Sequence, residues 1–108
     1  MNVFEAVVEP RRRQILDELR GGERVVSDLV DALGVAQPSV SQHLRTLRTA
    51  GLVDVRPEGR LRWYRLRPAP LAELDAWLLP YREAWADTFD ALADHLDSLP
   101  ADAPEEHP

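Results

Sequence analysis

Seven arginines, at positions 45, 48, 56, 60, 62, 65 and 67, crowd into residues 37–67 against two acids, Asp54 and Glu58. The whole chain carries a formal net charge of −6, so its positive charge is gathered in one place rather than scattered. Among the arginines stand Gln37, Ser39, Ser41, Gln42, His43, Thr46 and Thr49, polar side chains able to hydrogen-bond base edges or phosphates. Guanidinium, amide and hydroxyl groups concentrated on an acidic protein suit the recognition of a polyanion, and duplex DNA is the polyanion they fit best.

Other chemistries find less material. The chain has no cysteine, which excludes a disulfide scaffold, a thiolate metal site and a cysteine nucleophile together. Ser39 and His43 stand one helical turn apart, but no acid or oxyanion site accompanies them, so the sequence does not read as an enzyme. Asp87, Asp94, His95 and Asp97 are the weak candidates for a divalent metal. A selective transition-metal site usually draws on more imidazole, so these residues read first as a solvated acidic face. The sequence points to no cofactor.

The groups that could meet DNA must be held by helices, and the spacing says which. Val3, Phe4, Val7 and Val8 have helical spacing, and Glu9-Pro10 starts a second helix, with Ile15, Leu16 and Leu19 as its apolar stripe and Gly21-Gly22 as its end. Arg11, Arg12 and Arg13 fall in the first turn of that helix, where its dipole does not favour cations, and read as a solvated face. A short third helix fits 27–33 with Ser27 as its N-cap. Gly34-Val35-Ala36 makes a tight turn, and a fourth helix runs from Gln37-Pro38 to Gly51. In it Val40, Leu44 and Leu47, at i, i+4 and i+7, must face the core. Gln42, Arg45, Thr46 and Thr49 then point away, with Ser41 and Arg48 on the flank and His43 towards the inner side.

Beyond the fourth helix the period changes. Residues 52–55 read as a strand, 56–59 as a turn and 60–66 as the returning strand, which puts Arg56, Arg60 and Arg62 near the tip. The second strand alternates Arg62, Tyr64 and Leu66 with Leu61, Trp63 and Arg65, so its pattern leaves open which face is buried; Trp63 and Tyr64 read as packing residues. From Leu71 the pattern is helical again, with an interruption expected at Pro80. Tyr81, Trp85, Phe89, Leu92 and Leu96 then form an apolar stripe opposite Glu83, Asp87, Asp90, Asp94 and Asp97. That stripe exceeds what a small core needs to cover, and pairing with a second subunit would bury the excess.

Charge follows this division. Residues 1–67 hold twelve arginines and nine acids, whereas 68–108 hold one arginine, Arg82, and ten acids. With 108 residues the chain is expected to form one domain over 1–99 for DNA binding and dimerisation, followed by a disordered acidic tail, 100–108. No apolar run approaches the roughly 18 residues of a membrane span. The N-terminal MNVFEAVVEPRRR lacks the pattern of a signal peptide, so a cytoplasmic location is expected.

Five motifs stand in order along this framework: Glu-Pro-Arg-Arg-Arg-Gln-Ile-Leu (9–16), Val-Ser-Asp-Leu (26–29), Gln-Pro-Ser-Val-Ser-Gln-His-Leu (37–44), Ala-Gly-Leu-Val (50–53) and Gly-Arg-Leu-Arg-Trp-Tyr-Arg-Leu (59–66). Together, over residues 2–98, the chain resembles the ArsR/SmtB family of bacterial transcriptional regulators. The resemblance implies a mainly α winged helix-turn-helix with a small β-hairpin wing, dimeric through the first and last helices, that binds a two-fold symmetric operator. It implies Gln37, Ser39, Ser41, Gln42 and His43 in the recognition helix and Arg60 and Arg62 in the wing. The chain departs from the metal- and arsenic-sensing pattern at Val25 and Ser27, where such members commonly carry cysteines. Two alternatives stand beside a sequence-specific DNA-binding regulator: a winged-helix interaction module partnering a separate sensor protein, and a weakly metal-responsive regulator using the last helix. The sequence names neither the inducing signal nor the sign of regulation.

Overall fold

In the computed structural model residues 1–99 are described, and the expected tail lies outside them. The element order is α1 (Val3–Val8), α2 (Pro10–Arg20), α3 (Val26–Leu33), α4 (Gln37–Thr49), β1 (Val53–Glu58), β2 (Leu61–Leu66) and α5 (Leu71–Asp97). Chain contacts group these into two units, Met1–Asp75 and the remainder from Ala76.

Each short helix of the first unit has a local reason to begin or end where it does. α1 starts on a capping box, in which Asn2 Oδ1 accepts from the Glu5 N–H at 2.9 Å and Glu5 Oε1 accepts from the Asn2 N–H at 3.3 Å. α2 follows at once: Glu9 is its N-cap, accepting from the Arg11 N–H at 3.1 Å, and Pro10 opens its first turn. Arg12 and Arg13, expected on a solvated face, instead turn back onto the end of α1. Arg12 Nε donates to the Ala6 carbonyl at 2.6 Å, and Arg13 Nη1 donates to those of Val7 and Val8 at 2.6 and 3.0 Å. A cation at the N-terminus of α2 is thus also a cation at the C-terminus of α1, where the dipole welcomes it. α3 begins at Val26 rather than at Ser27; its N-cap is Val25, whose apolar side chain makes no capping bond, and Ser27 is exposed inside the first turn. Gly34 closes α3 in the left-handed region, φ 65°, where a Cβ would be strained.

One core joins these helices. Ile15, Leu16 and Leu19 of α2, Leu29 of α3, and Val40, Leu44 and Leu47 of α4 are buried with Val3, Ala6, Leu52 and Val53. α4 therefore presents the face that its periodicity required.

The strands pair antiparallel in a register that runs from Val53↔Leu66 to Glu58↔Leu61. The turn centres on Gly59-Arg60, two residues later than the expected turn over 56–59, with Gly59 at φ 61° as the first central residue of a two-residue hairpin loop. β2 gains a partial third neighbour: Arg24 and Tyr64 exchange backbone hydrogen bonds at 3.0 and 2.8 Å. The ambiguous alternation of β2 is resolved by packing. Tyr64 and Leu66 lie against the core, so the Arg62/Tyr64/Leu66 face is the inner one.

Pro80 does not stop α5, which runs unbroken across it for 27 residues. Its ring removes one backbone donor, a cost that a long helix can absorb. Leu71 and Leu74 pack on the core of the first unit, yet no residue of α5 is buried. In the second unit Trp77, Tyr81, Trp85, Phe89, Leu92 and Leu96 are all half or more open to solvent, within a few per cent.

Candidate nucleic-acid interface

α4 is carried as the second helix of a helix-turn-helix: α3 and α4 pack together across Gly34-Val35-Ala36, and Pro38 sits in the first turn of α4. With Val40, Leu44 and Leu47 locked inward, Gln42, Arg45, Arg48 and Thr49 are exposed. Ser39, Ser41, His43 and Thr46 are half-buried along the flanks, and Gln37 is exposed at the first turn. Thr49 is less available than its position suggests, because its Oγ1 donates to the Arg45 carbonyl at 3.0 Å. The outward face carries no acid.

The seven arginines divide into two classes, which the sequence did not distinguish. Arg65 and Arg67 bind Asp54 Oδ2 at 2.9 and 3.4 Å. The hydrogen bond from Arg65, with a smaller one from the Val55 N–H, holds the Asp54 carboxyl below its ordinary pKa. Arg56 is also engaged: it meets Glu58 at 2.9 Å and Glu23 at 3.2 Å, and its guanidinium lies 5.9 Å from the centre of the Trp63 ring. Those carboxylates, Glu58 first and then Glu23, raise the Arg56 pKa further. Arg56 thus lies opposite Trp63 in mid-strand, not at the tip where it was expected. Trp63 is a half-buried packing residue, with its indole N–H buried.

Arg45, Arg48, Arg60 and Arg62 form the second class. All four are exposed, and among the described residues none is in an ion pair. Two stand on α4 and two at the hairpin tip. Beside the tip pair, an open cavity of about 250 Å³ is lined by Val25, Val26, Ser27, Gln37, Leu61 and the two tip arginines. Arg48 belongs with Arg45 in this set, although helical phase alone had placed it only on the flank. Glu23 was missed altogether, and nothing in its local sequence marks it, since its partner lies 33 residues away.

Elsewhere the described residues hold no group of three or more metal-ligating side chains. Asp87, Asp94, His95 and Asp97 are spread along an exposed helix. No described helix is long and apolar enough to cross a membrane.

A helix-turn-helix with a hairpin beside its second helix, and unpaired arginines on both, defines a winged helix-turn-helix DNA-binding protein. Residues 9–55 match the family described as "Bacterial regulatory protein, arsR family". The chain is 34% identical to the transcriptional repressor SdpR of Bacillus subtilis over 80 residues, covering 74% of this chain and 89% of that protein. It is 38% identical to the HTH-type transcriptional regulator Rv2034 of Mycobacterium tuberculosis over 95 residues, or 88% of this chain and 86% of the other. Among solved structures, one titled "Possible transcriptional regulator for arsenical resistance" superposes with a TM-score of 0.68 at 37% identity, covering 93% of this chain and 99% of that one. The chain belongs to the ArsR family of bacterial transcriptional regulators. It is a DNA-binding regulator of transcription, and its relatives are named as regulators and repressors rather than as enzymes.

Proposed function

We propose that the chain acts as a homodimer on a two-fold symmetric operator, each subunit placing α4 in the major groove and its hairpin tip along the backbone. The observation that carries this reading is the split among the arginines. Of the seven in residues 37–67, those left without acidic partners, Arg45, Arg48, Arg60 and Arg62, are the ones on α4 and at the tip.

On this arrangement Gln42, exposed on the outward face of α4, reads a base edge, with Arg45 and Thr46 beside it. Ser39, Ser41 and Gln37 donate to phosphates near the start of the helix, and His43 supports them from the inner flank. Arg60 and Arg62 hold the backbone or enter the adjacent minor groove. The dimer is supported by the exposed aromatic stripe of α5, of a size that proteins seldom leave in water. Such a regulator works in the cytoplasm beside the chromosome. The alternative of a module serving a separate sensor protein finds no support in the relatives' names.

Selection of duplexes from a randomised DNA library tests the reading. The enriched sequence should be an inverted repeat whose half-sites lie about one helical turn apart, some 10 base pairs, or a multiple of that. Binding should weaken steeply with salt as phosphate contacts release counterions. Enrichment of an asymmetric motif, or affinity indifferent to salt, would overturn it.

A further inference from the structure

Glu23 and Glu58 present a problem for a DNA-binding surface. Both carboxylates lie beside the arginine-rich hairpin, where negative charge opposes the approach of phosphates. Their geometry gives them other work. Glu23 sits in the α2–α3 connection, next to Arg24, whose backbone is fixed to Tyr64 by the paired hydrogen bonds at 3.0 and 2.8 Å. The backbone that carries its carboxylate is therefore tied to the body of the domain. Arg56 reaches it with two nitrogens, Nε to Oε2 at 3.2 Å and Nη2 to Oε1 at 3.4 Å, while Nη1 holds Glu58 Oε2 at 2.9 Å. The same guanidinium lies near the Trp63 ring on the neighbouring strand.

One planar group thus ties β1, β2 and the α2–α3 connection together, at the strand pair Arg56↔Trp63, two register steps from the closing pair Glu58↔Leu61. A two-stranded hairpin is marginal by itself in water. The base of this one is fixed by Val53, Tyr64 and Leu66 in the core, but towards the tip β1 and β2 are exposed at every residue past the Arg56↔Trp63 pair. The tip is where Arg60 and Arg62 stand, so a tie at Arg56 governs where they point.

We infer that Glu23 is a positioning residue for operator binding: through Arg56, clamped between Glu23, Glu58 and Trp63, it sets the angle of the wing and so the register of Arg60 and Arg62 on DNA. The inference rests on the proposed operator-binding mode, and its sign separates it from plain electrostatics. If Glu23 were only a nearby negative charge, neutralising it would tighten DNA binding. If it holds the wing, neutralising it weakens binding to the preferred site.

The experiment compares wild type, Glu23→Gln, Arg56→Lys and the double variant on two probes, a duplex selected by the wild-type protein and a random-sequence duplex of the same length. Wild-type preference for the selected duplex tests the operator reading itself, independently of the variants. Glu23→Gln should weaken binding to the selected duplex about two- to fivefold, the range of an exposed ion pair, while binding to random duplex stays equal or tightens. Arg56→Lys should behave alike, because an ammonium cannot engage two carboxylates and a ring in one plane. The double variant should be no weaker than Arg56→Lys alone. The exchanged pair Glu23→Arg with Arg56→Glu should bind the selected duplex better than Arg56→Glu alone. Tighter or unchanged binding of Glu23→Gln to both probes would overturn the inference. So would additive effects of opposite sign, which would make Arg56 a direct phosphate contact and Glu23 a bystander.

Discussion

The aromatic stripe of α5 makes the proposed dimer a quantitative matter. Phe89 is 64% exposed and stands at the middle of the stripe, between Trp85 and Leu92. A large aromatic side chain offers roughly 200 Å² of surface, so its solvent-facing part comes to about 130 Å² and, at about 25 cal/mol per Å², to about 3 kcal/mol if fully buried. Two-fold symmetry counts it twice, for about 6 kcal/mol per dimer. Ala retains part of that area, and buried area does not convert fully into affinity, so about half of it, 3 kcal/mol, is the sounder expectation. Phe89→Ala should then raise the dimer dissociation constant about a hundredfold. Ala is the best helix former, so α5 itself should survive the change. Sedimentation equilibrium over a wide concentration range reads the constant directly, with circular dichroism confirming unchanged helix content. A wild-type chain that stays monomeric throughout would refute the reasoning. A shift of less than about threefold in the variant would place the interface somewhere other than this stripe.

Three further expectations concern the first unit. Gln42→Ala should relax preference between selected and random duplexes, whereas Arg60→Ala should weaken both and lower the slope of log K against log salt by about 1; identical loss profiles for the two variants would abolish that division of roles. Leu44→Ala, at a position with no solvent exposure, should cost about 2–5 kcal/mol in a denaturant titration, and a cost below about 1 kcal/mol would mean the core is looser than its packing implies. Asp54 titrates below its ordinary value because Arg65 hydrogen-bonds its charged form. Its folded pKa is the lower one, so its stabilising effect is complete above the unfolded value and disappears as pH falls through the folded value. Asp54→Asn should therefore melt earlier than wild type at neutral pH, with the gap closing on acidification below about pH 3.9; a gap that ignores pH would contradict the pairing.

The features legible in sequence were those with a strong local period or a local stop signal. The spacing of Val40, Leu44 and Leu47 is enough to orient α4, and Pro10, Pro38 and Gly34 mark helix ends correctly. Where local signals were weak, the three-dimensional packing decided. Ser27 looked like an N-cap by type, but the chain enters α3 two residues earlier, with Val25 at the cap. Pro80 is a strong breaker by propensity, yet one missing donor did not end a helix of 27 residues. The mixed pattern of β2 held no answer because its inner face includes Arg62 at the open end, beyond the part that packs on the core. In the candidate interface, which residues face outward was readable from the helical phase. Which arginines are already neutralised was not, since that depends on partners distant in sequence such as Glu23 and Arg56.

The outer edge of β1 has a further consequence. Tyr64 directs both its backbone groups away from β1, towards Arg24, so Tyr64↔Val55 is a non-hydrogen-bonded pair of the ladder. Two steps on, Arg62↔Pro57 must be another. The backbone nitrogens of residues 55 and 57 therefore face the open edge; the Val55 N–H is already donated to Asp54 Oδ1 at 3.0 Å, and proline at 57 supplies no donor to recruit a foreign strand. Charged neighbours on either side, Arg56 and Glu58, add to the deterrent. The wing can thus stand out from the protein, bare on one side, without inviting edge-to-edge aggregation between copies of the chain.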